Sequence, residues 1–166
     1  ADYLINFAQL TQRAGNFVVS REKEDSFKWE DLKGKKVIGG RPGGMPEMVF
    51  EYVLKKHGMN PQKDINLVQN IDFANTSGAF VSGEADYTVE FEPAATLIEE
   101  QGAGYVVASV GKESGYVPYT AFSAKESYIK KHPELIQSFT NALQKGMTYV
   151  NNHSAAELSL IHISEP

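Results

Sequence analysis

Lys36-Val37-Ile38-Gly39-Gly40-Arg41-Pro42-Gly43-Gly44-Met45-Pro46-Glu47-Met48-Val49-Phe50-Glu51-Tyr52-Val53-Leu54-Lys55-Lys56-His57-Gly58 reads as a strand, a glycine turn and a helix. Lys36 to Gly40 supplies the strand, with β-branched Val37 and Ile38 at its centre. Pro46 to His57 supplies the helix. Met45, Met48, Val49, Tyr52 and Val53 recur at the spacing of one helical face, while Glu51 and Lys55 stand four apart on the other. Pro46 suits the first helical position, Gly58 the C-terminal cap, and Pro61 follows just beyond.

The same alternation continues downstream. Ile65 to Gln69 reads as a strand and Phe73 to Ser82 as a short helix closed by Gly83. Asp86 to Phe91 is a strand, Pro93 to Gln101 a helix stopped by Gly102, and Tyr105 to Val110 a strand. Strands alternating with helices imply a parallel sheet with helices on both faces, hence an α/β fold. The flanks differ. Ile5 to Phe7, Asn16 to Ser20 and Val117 to Ser123 are strand-like. A short helix is expected near Lys125 to Lys131 and a long one from Pro133 to about Asn151, with Leu135, Ile136, Phe139, Leu143, Met147 and Val150 on one face.

Two polar runs, Arg21 to Lys28 and Gly111 to Gly115, bracket the central pattern and read as crossings between lobes. Residues 29–110 are therefore expected to form one α/β lobe. Residues 1–28 and 111–158 are expected to belong to hinge crossings and to another, incomplete lobe with too few strands to bury its helices. That shortage predicts marginal stability, without a cooperative melt well above ~60 °C. The closing Ser159 to Pro166 fits no amphipathic pattern and looks like translated sequencing-adapter sequence, so 159–166 is expected to be a non-native tail. At the other end, the chain opens on Ala1-Asp2-Tyr3-Leu4, already strand-like and without Met. It reads as a processed protein or as an internal piece of a longer one.

Composition narrows the chemistry. The 166 residues are 42% hydrophobic and 22% charged, which is globular composition. Net charge is -5 with both signs intermixed and no basic stripe, so no nucleic-acid partner is expected. The absence of cysteine excludes a disulfide scaffold, a thiolate metal site and a cysteine nucleophile. No apolar run approaches the ~20 residues of a membrane span. His57, His132, His153 and His162 show no metal-ligand spacing. Neither a G-x-S-x-G elbow nor a G-x-G-x-x-G loop is present. No cofactor, no metal and no enzymatic activity are expected.

In an open parallel sheet, ligands bind beyond the carboxyl ends of the strands. That rule selects Arg41, Gly43, Gly44 and Met45 after one strand. It selects Asn70 after the next, with Asn75 and Thr76 opening the following helix, and Glu90, Phe91 and Glu92 after the third. Gly43 and Gly44 allow positive φ and close backbone approach, or serve only for the bend. Phe91 could stack on a ligand ring and the carboxylates accept from an amine; the alternative is a core phenylalanine with solvated acids. Tyr116 and Tyr119, at the second crossing, either close over a ligand or sit at an interface with wet hydroxyls.

Trp29-Glu30-Asp31-Leu32-Lys33-Gly34-Lys35-Lys36-Val37 resembles the lobe-entry segment of periplasmic-type solute-binding proteins. The group in question includes sulfonate, taurine and nitrate binders and thiamine-pyrimidine binders. Gly43-Gly44-Met45-Pro46-Glu47, Ser82-Gly83-Glu84-Ala85-Asp86, Glu92-Pro93-Ala94, Val117-Pro118-Tyr119 and His132-Pro133-Glu134 are similar in kind and order, so the resemblance spans about Leu4 to Ser154. It implies a type 2 periplasmic-binding fold, a small solute held between two lobes, and recognition of the closed form by an ABC permease in the membrane. It also implies a monomer outside the cytoplasm, about a hundred further residues of a first lobe, and a signal peptide or lipid anchor in that part. Sulfonate- and nitrate-type relatives usually offer Ser or Thr where Gly44-Met45 stands here, which counts against a strong oxyanion ligand. Met45, Phe91 and the tyrosines suit a solute with a flat or apolar body and a polar end, and Glu90 or Glu92 a basic nitrogen. The same fold also serves as a sensor input module and in pyrimidine-synthase enzymes, the latter with a cysteine-rich motif that this chain lacks.

Overall fold

The computed structural model describes residues 2–164, with side chains described to Ser159. The chain divides into two compact units, Arg13–Val117 and Ala1–Gln12 with Pro118–Pro166.

In the first of these, β2 (Asn16–Ser20), β3 (Lys36–Ile38), β4 (Asn66–Val68), β5 (Tyr87–Phe91) and β6 (Tyr105–Ser109) form one sheet in the order β4-β3-β5-β2-β6. β3 pairs parallel to β4 and to β5, as strand–helix alternation requires. β2 runs antiparallel between β5 and β6, with Val18 opposite Val89 on one side and Ala108 on the other. The sheet is therefore mixed rather than purely parallel. Asn16 to Ser20, grouped by its chain position with the flanks, is an interior strand of the central sheet. The physical reason lies in its own residues: Val18 and Val19 point to opposite faces and both are fully buried, so neither face is offered to water.

α2 (Thr76–Val81) and α3 (Ala94–Glu100) cover one face, where Phe80, Ala95 and Ile98 meet Val19 and Ile38. α1 (Met45–Lys56) packs against α4 (Val110–Ser114). The α1 stripe differs from expectation. Val49, Phe50, Val53 and Leu54 are buried, whereas Met48 and Tyr52 are about half exposed. A helix on a sheet buries neighbouring pairs such as Phe50 with Val49, which is broader than a single row. Glu51 and Lys55 do pair, at 2.8 Å. Gly111 to Gly115, expected as an irregular crossing, is largely the helix α4. Ser109 caps it by accepting from Lys112 N at 3.2 Å, and Gly115 ends it at φ 71°. Glu99 of α3 accepts the N–H of Val106 in β6 at 2.7 Å.

The other unit holds β1 (Leu4–Thr11) paired antiparallel with β7 (Thr120–Lys125), then α5 (Glu126–Lys131), α6 (Pro133–Asn152) and α7 (Ala155–Ser164). Phe7 and Phe122 both pack edge-on against Phe139 of α6. The expectation of a non-native 159–166 tail falls mostly on side chains outside the described residues. Among the described residues, no helix is long and apolar enough to cross a membrane.

Candidate binding site

The carboxyl ends of β3, β4 and β5 open on a cleft of about 440 Å³. Gly39 and Gly40 form its base, Arg41, Gly44 and Pro46 the turn side, and Gln69 to Asp72 the β4 side. Phe73, Thr76, Val89 and Phe91 complete the wall. A Cβ at Gly39 would meet the tip of the Leu67 side chain, which would have to shift, and Gly40 beside it stands at φ 89°, the left-handed region that favours glycine. Gly43 stands at φ 72° and turns the chain into α1. Phe73 and Phe91 meet edge-on at 5.8 Å, giving the cleft an aromatic wall.

Two carboxylates lie buried around this cleft, Glu47 at 5% exposure and Glu90 at 3%. Glu47 is the third residue of α1. Its Oε2 accepts from Gly43 N at 3.1 Å and its Oε1 from Gln69 Nε2 at 2.9 Å. Burial raises its pKa, and the neighbouring Glu51 adds to the rise. Glu90 meets Thr88 Oγ1 at 2.7 Å through Oε1 and Thr76 Oγ1 at 3.2 Å through Oε2. Thr76 Oγ1 also lies 3.1 Å from Phe73 O. Thr76 Oγ1 thus shares its one proton between Phe73 O and Glu90 Oε2. Burial raises the Glu90 pKa, and the two threonine hydroxyls act against that rise. No lysine or arginine forms an ion pair with either glutamate among the described residues.

The residues expected from sequence distribute as follows. Arg41, Gly44, Asn70 and Phe91 line the cleft; Gly43 shapes its turn and Glu90 bonds to its wall through Thr76. Met45 is the first residue of α1, and Asn75 lies at the start of α2; neither lines the cleft. Glu92 is exposed and accepts from Thr96 N at 3.1 Å, a helix-start duty for α3. Tyr116 is 76% exposed under the Arg13 guanidinium, which stands 4.5 Å above its ring. Tyr119 belongs to the other unit, where burial pushes its hydroxyl up to about 12. Sequence reasoning passed over Glu47, Gln69 and Phe73 as site residues. For Glu47 a signal exists: Gly44-x-x-Glu47 has capping-box spacing, in which the third helical residue reaches back to the turn.

Among the described residues no group of three His, Cys, Asp or Glu is placed to hold a metal ion.

Similar proteins agree with this architecture. The candidate binding protein YtlA of Bacillus subtilis (strain 168) is 54% identical over 158 residues, covering 95% of this chain and 47% of that protein. The chain thus spans about half the length of this curated relative. The periplasmic aliphatic sulphonate binding protein SsuA of Escherichia coli superposes with a TM-score of 0.68 at 19% identity, over 86% of this chain and 47% of its own. The alkanesulfonate-binding protein SsuA of Xanthomonas axonopodis pv. citri, bound to MOPS, gives 0.71 at 20% identity, over 86% and 48%. These neighbours are substrate-binding proteins, not enzymes, and they share the type 2 periplasmic-binding fold. Residues 3–156 match the family described as NMT1/THI5 like, and on that match the chain belongs to the NMT1/THI5-like family.

Proposed function

We propose that the chain is part of an extracytoplasmic solute-binding protein that delivers a small organic molecule to an ABC permease, acting as a monomer. The solute has a flat or apolar body and a basic or N–H-bearing end. The observation that carries this reading is the Phe73–Phe91 aromatic wall of the cleft together with two buried glutamates without cationic partners next to its lining, Glu47 bonded to Gln69 and Glu90 to Thr76. An aromatic wall receives a flat ring. Buried carboxylates favour a proton donor or a cation over an anion. Arg41, Gly44, Asn70 and Phe91 would contact the solute, with Glu90 behind them and Gly43 and Met45 shaping the helix entry. Tyr116 and Tyr119 would approach from the crossing, and residues 1–12 and 118–158 would form part of a first lobe.

Isothermal titration of the full-length gene product with a thiamine-type aminopyrimidine and with an alkylsulfonate tests the reading. Saturable heat with the pyrimidine and none with the sulfonate is expected. Tight sulfonate binding would overturn the solute class.

A further inference from the structure

We propose that Glu47 is a specificity-determining residue of the cleft: its carboxylate is a built-in anion at the start of α1 and turns away ligands that carry an oxyanion. This rests on the cleft being a binding site and adds which residue rejects anions.

A helix start ordinarily attracts anions, because its first N–H groups are free and its dipole end is positive. In this chain three of the nearby donors are already removed. Gly43 N donates to Glu47 Oε2 at 3.1 Å. Gly44 N donates to Arg41 O at 3.1 Å. Pro46 has no N–H to offer. The dipole is answered by the Glu47 carboxylate itself, 5% exposed and held on its second oxygen by Gln69 at 2.9 Å. Gln69 lines the cleft, so the amide that could have turned towards a ligand is spent on the same carboxylate. Arg41 also lines the cleft, yet it is exposed, where water and salt screen its charge. An incoming sulfonate or carboxylate would therefore meet a fixed like charge and few open donors.

The test is an amide titration of the isotope-labelled 166-residue chain with sodium methanesulfonate, read at Gly43, Gly44 and Met45 against sodium chloride at equal ionic strength. The wild-type amides are expected to stay where chloride leaves them. In Glu47→Ala, which frees both the charge and the Gly43 donor, saturable shifts are expected, with affinity at least about tenfold above wild type for removal of one part-buried like charge. Glu47→Gln, which removes the charge and keeps an acceptor for Gly43, is expected between the two. Saturable wild-type shifts, or folded variants as inert as wild type, would overturn the proposal. Should neither variant fold, methylguanidinium is compared with methanesulfonate on the wild type. Preference for methanesulfonate overturns the proposal, and response to methylguanidinium alone supports it. Inertness to both overturns the proposal, since a cleft that takes neither ion shows no discrimination by charge, while the aminopyrimidine titration of the full-length gene product tests the binding-cleft reading separately.

Discussion

The helices α1 and α6 both carry an apolar stripe and a polar one, yet they meet different fates. In Arg13–Val117 the α1 stripe is sealed, with Phe50, Val53 and Leu54 all fully buried. In the unit made of Ala1–Gln12 and Pro118–Pro166, α6 has no buried residue, and Leu135, Phe139 and Val150 are 55%, 41% and 54% exposed. Every buried apolar side chain described, from Ala14 to Val110, lies in the first unit. The α6 stripe, with Leu10, instead lines an open apolar groove of about 520 Å³. Amphipathicity is a demand for a partner layer. A five-stranded sheet meets that demand, and the two strands β1 and β7 do not.

The largest test of this contrast is a matched pair of truncations followed by chemical denaturation. Phe50→Ala is expected to cost about 3–5 kcal/mol, as for a fully buried phenylalanine. Phe139→Ala is expected to cost under about 1 kcal/mol, because its ring already meets water. Native-state hydrogen exchange on the same proteins should protect β2 and β5 far longer than β1, β7 and α6. Equal costs, or equal protection, would break the contrast.

A smaller effect sharpens it from the electrostatic side. Glu90 is buried only because the first unit has an interior, and its folded pKa lies above the ordinary value of 4.5. The native state then holds a proton that the unfolded chain has released. The stability this gives is complete below the unfolded value and falls as pH rises through the folded one. Glu90→Gln is expected to raise the unfolding midpoint at neutral pH, by on the order of 1 kcal/mol, and to flatten that decline. A variant with an unchanged pH profile would mean that Glu90 ionises as freely as a surface acid. The smallest expected effect belongs to the 2.8 Å pair between exposed Lys55 and part-buried Glu51: Lys55→Ala should cost no more than about 0.5 kcal/mol. A larger loss would place part of the first unit's stability on its surface.

Local signals carried much of this architecture. The run Lys36 to Gly58 reads correctly because a β-branched strand, paired glycines, a proline at the helix start and a glycine at its stop all point the same way. The rule that ligands lie beyond parallel strand ends selects Arg41, Gly44, Asn70 and Phe91, and all four line one cleft. The position of β2 was not legible, because sheet order is a long-range property and its neighbours Phe91 and Ser109 lie far along the chain. The breadth of the α1 stripe depends on what covers it, so Met48 and Tyr52 were misplaced. Glu47 was overlooked because a glutamate near a helix start is ordinary; only its contact with Gln69, 22 residues on, makes it part of a cleft.

The bond from Val106 to Glu99 has a further effect. β6 is the last strand of its sheet, so its outward N–H groups are a template on which any extended chain could add itself. By taking one of these donors, Glu99 leaves a carboxylate on the rim instead of an open hydrogen-bonding row. Edge-to-edge association of two copies would have to displace that acid and bury its charge. This guard against self-templating comes from a residue of α3, so it arises only once the helix has docked.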